Sequence, residues 1–362
     1  MQMEPASPPP KRLDSLDGWR AIAISLVLLS HVPYTRECPA ALSGFIYDFI
    51  NGNLGTRIFF TVSGFIITWL LLAELNGKGR IDLPAFYLRR SLRILPVYFG
   101  FLFVILILQV LGRLQEDSSS WIGSLSFTRN FLGRGNSPTV HFWTLAIEEQ
   151  FYLFWPPILY WLHRRRTALF ICIGLVILSG PLVRLLPQLT GGTLLERLHG
   201  PRSFFCYSDV LMIGCLSAIL FKSSFWPSSV VRMGVAFSCM IILEGLRYFQ
   251  PLPTDFLIPT FEAWATAELI YWTITHKGLG HRLLNSRPIA ALGLLSFSLY
   301  VWHMIFLDHF APGALAWLQL DTWYLWWLPS LACALISYAI LEWPARFFRE
   351  KRHRFPSAPT SL

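Results

Sequence analysis

The stretch GTRIFFTVSGFIITWLLLAE, Gly55 to Glu74, is apolar from Ile58 to Ala73 apart from Thr61, Ser63 and Thr68. It has the roughly 20 residues a helix needs to cross a hydrocarbon layer. Working outward, comparable runs lie at 18–34, 95–112, 143–162, 168–187, 204–221, 229–248, 256–274, 289–309 and 324–342. Ten spans predict an all-α integral membrane bundle with both termini on one side. The whole chain agrees: 54% of its 362 residues are hydrophobic and only 14% charged, against roughly 25% charged in a soluble domain. Mean hydropathy is +0.48, which excludes a soluble enzyme. The run from Trp19 to Val32 follows Lys11, Arg12 and Arg20 as a signal peptide would, but no small-x-small site follows it, so it reads as an uncleaved first helix.

Lys and Arg set the orientation. With the N-terminus inside, 21 of the 30 fall on inner segments, which predicts cytoplasmic termini. The net charge of +9 is accounted for in the same way, and nucleic acid is not an expected partner. The domain plan is a disordered cytoplasmic tail over 1–17, a transmembrane domain over 18–345 and a basic cytoplasmic tail over 346–362, the last too short to fold alone. The six cysteines are scattered, without C-x-x-C or zinc-like spacing, so neither a disulfide framework nor a metal site is expected.

Ionisable residues in apolar spans are costly, so each is a functional candidate. His31 follows Arg20 by 11 residues, about 20° past three full turns, so the two share a helix face about 16 Å apart. A topological anchor and an interfacial imidazole would look the same. In LRRSLRILPVY, Leu88 to Tyr98, read as the loop into the third span, Arg90 and Arg93 are neighbours if a helix begins there, and suit a phosphate or carboxylate. The positive-inside rule alone also produces such a cluster. In WTLAIEEQFYLFWP, Trp143 to Pro156, Glu148 and Glu149 cannot share a helical face, so one is expected to point inward. In SFSLYVWH, Ser296, Tyr300 and His303 recur on one face, as a polar cavity wall or a hydrogen-bonded seam. Ser63 and Gly64 form a small pair that favours close helix approach.

Together, LDGWRAIAI (Leu16 to Ile24) with its Arg20/His31 spacing, FFTVSGFIIT (Phe59 to Thr68), RSLRILP (Arg90 to Pro96), WTLAIEEQFY (Trp143 to Tyr152) and SLYVWH (Ser298 to His303) resemble the motifs of the membrane-bound acyltransferase 3 family, in order. Trp19, Thr61 and Thr144 are small departures from its pattern. The resemblance implies a multi-pass O-acyltransferase of the bacterial inner membrane. It would use acyl-coenzyme A, acetyl-coenzyme A in the first instance, as a co-substrate with no bound cofactor. The acceptor would be a hydroxyl of a carbohydrate or lipid-linked glycan, such as a surface polysaccharide, lipopolysaccharide or peptidoglycan precursor.

By the same analogy His31 is catalytic, as base or acyl carrier, and Arg20, Arg90 and Arg93 hold the donor. Glu148 is assigned as the carboxylate that orients His31. Ser63 and Tyr300 are candidate oxyanion donors, and with Trp143, Glu149 and His303 they complete the expected cavity or acceptor set. Some relatives carry an extra hydrolase-like domain, so the acceptor is expected to meet this membrane domain directly or through another protein. A transporter or flippase with a proton-relaying His31 is the rival reading.

Overall fold

The computed structural model describes residues 13, 15–133, 135–190, 202–223, 229–249, 256–307, 309–315 and 318–344. Both expected tails fall almost wholly outside them. Among the described residues the chain is helical, with one isolated parallel bridge between Arg36 and Thr322. The helices are α1 (Leu16–His31), α2 (Ala40–Phe49), α3 (Gly52–Lys78), α4 (Leu83–Val110), α5 (Ser118–Leu125), α6 (Phe142–Leu162) and α7 (Arg166–Thr190). They continue with α8 (Ser208–Ser223), α9 (Val230–Phe249), α10 (Ile258–Thr275), α11 (Leu279–Leu284), α12 (Arg287–Trp302) and α13 (Trp327–Ser337). A 3-10 turn, His303–Phe306, extends α12, and a π turn, Tyr338–Glu342, extends α13.

Each of the ten predicted spans falls on one of these helices. Four of them, Gly52–Lys78, Leu83–Val110, Arg166–Pro187 and Arg287–Phe306, are by length and composition long and apolar enough to cross a membrane. Large side chains such as Leu175, Leu178 and Leu182 on α7, Val231 and Ile242 on α9, and Phe103 and Val110 on α4 are exposed. An outer surface of that kind suits lipid rather than water.

One sequence expectation is corrected. The LRRSLR segment is not a loop, because α4 begins at Leu83: Asp82 caps it by accepting from the Ala85 amide at 3.0 Å, and Pro84 occupies its first turn. The whole arginine cluster is therefore helical.

Helix α3 is central, packing against α1, α6, α8 and α10. Its contact with α8 is reciprocal. A Cβ on Gly64 would overlap the Leu211 carbonyl oxygen, and one on Gly214 would overlap that of Thr61. The two backbones meet where each helix lacks a side chain, which is the packing expected of the small residue at Gly64. Two turns earlier on the same face of α3, Arg57 forms an ion pair with Glu262 of α10, both buried. Neither charge is tolerable there alone. Tyr98 fixes α4 to the α5 layer: its ring stacks on Phe127 and Phe142, and its hydroxyl donates to the Ser124 carbonyl at 2.6 Å.

Candidate active site

Helices α1, α3, α4, α6 and α12 line a cavity open to solvent, with about 730 Å3 of empty space when its mouth is included. Its charged lining consists of Arg20, Arg90, Arg93 and Glu148, a strong cationic excess. The helical register of α4 separates the three arginines of LRRSLR. Arg90 and Arg93 face the cavity, while Arg89 turns to Glu74 of α3 at 3.4 Å. The Arg90 guanidinium lies over the ring of Tyr152 at 5.1 Å and that of Phe86 at 5.8 Å. Aromatic faces thus hold this cation in place and leave its fork of N–H donors for an anion.

Glu148 accepts from Ser63 Oγ at 2.8 Å and from the Tyr152 hydroxyl at 3.1 Å. It does not bond to His31. The Nδ1 of His31 instead lies 2.6 Å from the Val27 carbonyl oxygen, one turn back on α1. That carbonyl, not the expected carboxylate, orients the imidazole, because the helix end lets a side chain fold back onto the preceding turn. A carbonyl only accepts, so the neutral ring carries its proton on Nδ1 and presents Nε2 as its lone pair.

Hydroxyls of Thr144, Ser296 and Tyr300 also line the cavity. Tyr300 donates to the His141 carbonyl at 2.9 Å, and Thr144 Oγ1 donates to the Tyr300 oxygen at 2.6 Å. Ser63 and Tyr300, expected as oxyanion donors, therefore direct their protons elsewhere in this arrangement. Next to Tyr300 are three imidazoles. His303 lies 5.5 Å from the Tyr300 ring, His31 lies 5.0 Å from His303, and His141 lies 5.2 Å from His303. His31 does not line the cavity. Ring contacts connect the two, from Tyr300 in the lining to His303 and from His303 to His31, with Phe59 packed edge-on against Tyr300.

The structure thus gathers Arg20, Ser63, Arg90, Arg93, Glu148 and Tyr300 around one cavity, with His31 and His303 beside it. Trp143 lies off it, packed on Phe60 and Tyr207. Glu149 is also off it and has a buried carboxylate oxygen without a hydrogen-bond partner. Two residues to which the sequence assigns no role belong here, His141 and Tyr152. With Thr144 and Glu148 they recur at i, i+3, i+7 and i+11, a helical stripe that a reading from His141 rather than Trp143 would have caught.

A polytopic helical bundle with a cationic cavity leading to buried histidines is the class that the fold and the site define. Comparison places it more closely. The family described as an acyltransferase domain, acyltransferase 3, matches residues 13–343, and the chain belongs to that family. The chain is 27% identical to the O-acetyltransferase OatA of Staphylococcus aureus over 93% of its own length and 58% of that protein's. It is 28% identical to the peptidoglycan O-acetyltransferase OatA of Listeria monocytogenes over 81% of its own length and 49% of that protein's. The chain therefore spans about half the length of these relatives. No solved structure matches it.

Proposed function

We propose that this chain crosses the bacterial inner membrane ten times with both termini cytoplasmic, and transfers an acetyl group from acetyl-coenzyme A to a glycan hydroxyl outside the cytoplasm. The observation that carries this reading is the cavity lined by Arg20, Arg90, Arg93 and Tyr300, with His303 packed on Tyr300 and His31 on His303. Guanidiniums make charge-assisted, bidentate contacts with phosphates, so the arginine end is where the nucleotide of coenzyme A binds. The Lys and Arg bias puts that end toward the cytoplasm. The names of the relatives point to peptidoglycan as the acceptor class.

An alcohol attacks a thioester slowly unless a base removes its proton. Nε2 of His31 is that base, its tautomer fixed by the Val27 carbonyl. The acyl group passes Tyr300 to reach it, which requires that ring to turn aside. Membership of an acyltransferase family gives a transporter no support here.

The test uses purified protein in detergent, labelled acetyl-coenzyme A and N-acetylglucosamine oligomers. Label should move to the oligomers with the unsubstituted protein and not with His31→Ala. Transfer by His31→Ala at the unsubstituted rate would overturn the assignment of the base.

A further inference from the structure

Ser15, the buried residue before α1, has φ 71°, a left-handed backbone uncommon for residues other than Gly, Asn and Asp. A serine at this position ordinarily turns its hydroxyl onto the first amides of its own helix. Ser15 makes no such bond. Its Oγ donates instead to the Thr273 carbonyl of α10 at 3.1 Å and accepts from Asn285 Nδ2 at 3.0 Å, while its amide donates to Asn285 Oδ1 at 2.8 Å. Asn285 Nδ2 also donates to the His281 carbonyl at 2.8 Å, so both N–H bonds and the carbonyl of that side chain are in use. A strained backbone persists where its surroundings over-determine it. Here the hold comes from outside α1, from α10 and the turn between α11 and α12.

One turn on, Trp19 makes a second link to α10. Its Nε1 donates to Thr273 Oγ1 at 3.0 Å, and that hydroxyl donates to the Ile270 carbonyl at 3.0 Å. The backbones are close as well: a Cβ added to Gly18 would overlap Leu284 of α11, and one added to Gly293 of α12 would overlap the Asp17 carbonyl oxygen. Three helices therefore grip the first turn of α1 and fix both its position and its rotation. Arg20, about 100° round the helix from Trp19, lines the cavity, whereas Ser15, Trp19, Thr273 and Asn285 do not. Whatever these four do to a ligand there, they do through α1.

We infer that Asn285, Thr273 and Trp19 are positioning residues for the donor: with the left-handed Ser15 they lock the first turn of α1 in the rotation that points Arg20 into the cavity. The inference rests on the reading of Arg20 as a donor-binding residue. A loosened turn would hold Arg20 in place for only part of the time, and the apparent affinity for an anionic donor falls by that fraction. His31 lies about 16 Å further along the helix and has its own bond to the Val27 carbonyl, so the chemical step is left intact.

The test is a double-substitution cycle on the purified protein, read as the KM for acetyl-coenzyme A. Asn285→Ala, Thr273→Val and Trp19→Phe should each raise it about three- to tenfold, with kcat and the KM for N-acetylglucosamine oligomers changed less than about twofold. In an Arg20→Ala background the same substitutions should add less than about twofold, because the side chain they position is gone. Misfolding lowers the active fraction, hence kcat, and does not reproduce this split; Asn285 is exposed, so its truncation leaves no buried cavity. Ser15→Gly suits a left-handed backbone and Ser15→Ala does not, so the alanine variant should show the larger rise, and equal rises would overturn the role of that turn. Rises of the same size in both backgrounds, or none with Asn285→Ala and Trp19→Phe while Arg20→Ala raises the KM, would overturn the positioning role and leave Arg20 as a donor residue. An unchanged donor KM in Arg20→Ala would overturn the reading of Arg20 itself.

Discussion

Ser63 Oγ donates to Glu148 Oε1 at 2.8 Å, a bond that ties α3 to α6 inside the cavity and keeps Glu148 away from His31. A carboxylate that orients a catalytic histidine is worth about 10⁴ in kcat when replaced by its amide. Glu148 has no such contact, so Glu148→Gln should lower kcat less than about tenfold, with most of its effect on the donor KM through Tyr152 and Arg90. Steady-state kinetics beside His31→Ala check this, and a loss near that of His31→Ala would contradict it.

Arg90 and Arg93 line the cavity, whereas Arg89 is paired with Glu74. Loss of a charge-assisted hydrogen bond costs about 1.5–3 kcal/mol, or about 10- to 100-fold in affinity. Arg90→Ala and Arg93→Ala should raise the donor KM by that order with acceptor KM little changed, and Arg89→Ala should leave both near the unsubstituted values. Equal effects of all three would return the cluster to a purely topological role.

The α3 and α8 backbones meet at Gly64 and Gly214. Leucine at either position forces carbonyl and side chain into the same volume, so Gly64→Leu and Gly214→Leu should fail to give a monodisperse peak in detergent gel filtration. Gly77, also on α3, has nothing within 4 Å of an added Cβ, and Gly77→Ala should behave as the unsubstituted chain does.

Removal of one partner from the buried Arg57–Glu262 pair leaves an uncompensated charge. Arg57→Ala should destabilise the protein by about 3–5 kcal/mol, and Arg57→Met with Glu262→Leu should recover most of that loss. Thermal unfolding in detergent distinguishes the two, since equal loss in the single and double variants would mean that packing rather than charge is responsible.

Much of this site was legible in the sequence for a geometric reason. Arg20 and His31 share one continuous helix, so their register follows from 100° per residue, and α1 does span both. Arg90 and Arg93 are three apart on α4 and both line the cavity, whereas the start of α4 is not legible from the apolar run because Asp82 and Pro84 cap the helix well before it. The partner of Glu148 was not legible: whether it met Ser63 or His31 depends on how α3 and α6 pack, and spacing within one helix carries no such information. The same holds for Arg57 and Glu262, whose pairing exists only once α3 and α10 are side by side. His141 lies in register with Thr144 and Glu148 but just outside the apolar run that begins at Phe142.

The central claim is that a donor entering from the arginine side is used by an acceptor on the histidine side. The direct measurement loads proteoliposomes with acetyl-coenzyme A, removes all donor from outside and adds N-acetylglucosamine oligomers only to the outer solution. O-acetylated oligomers should accumulate outside, and substitution of His31 by Ala should stop them. Product that forms only when donor and acceptor share a compartment would contradict the account.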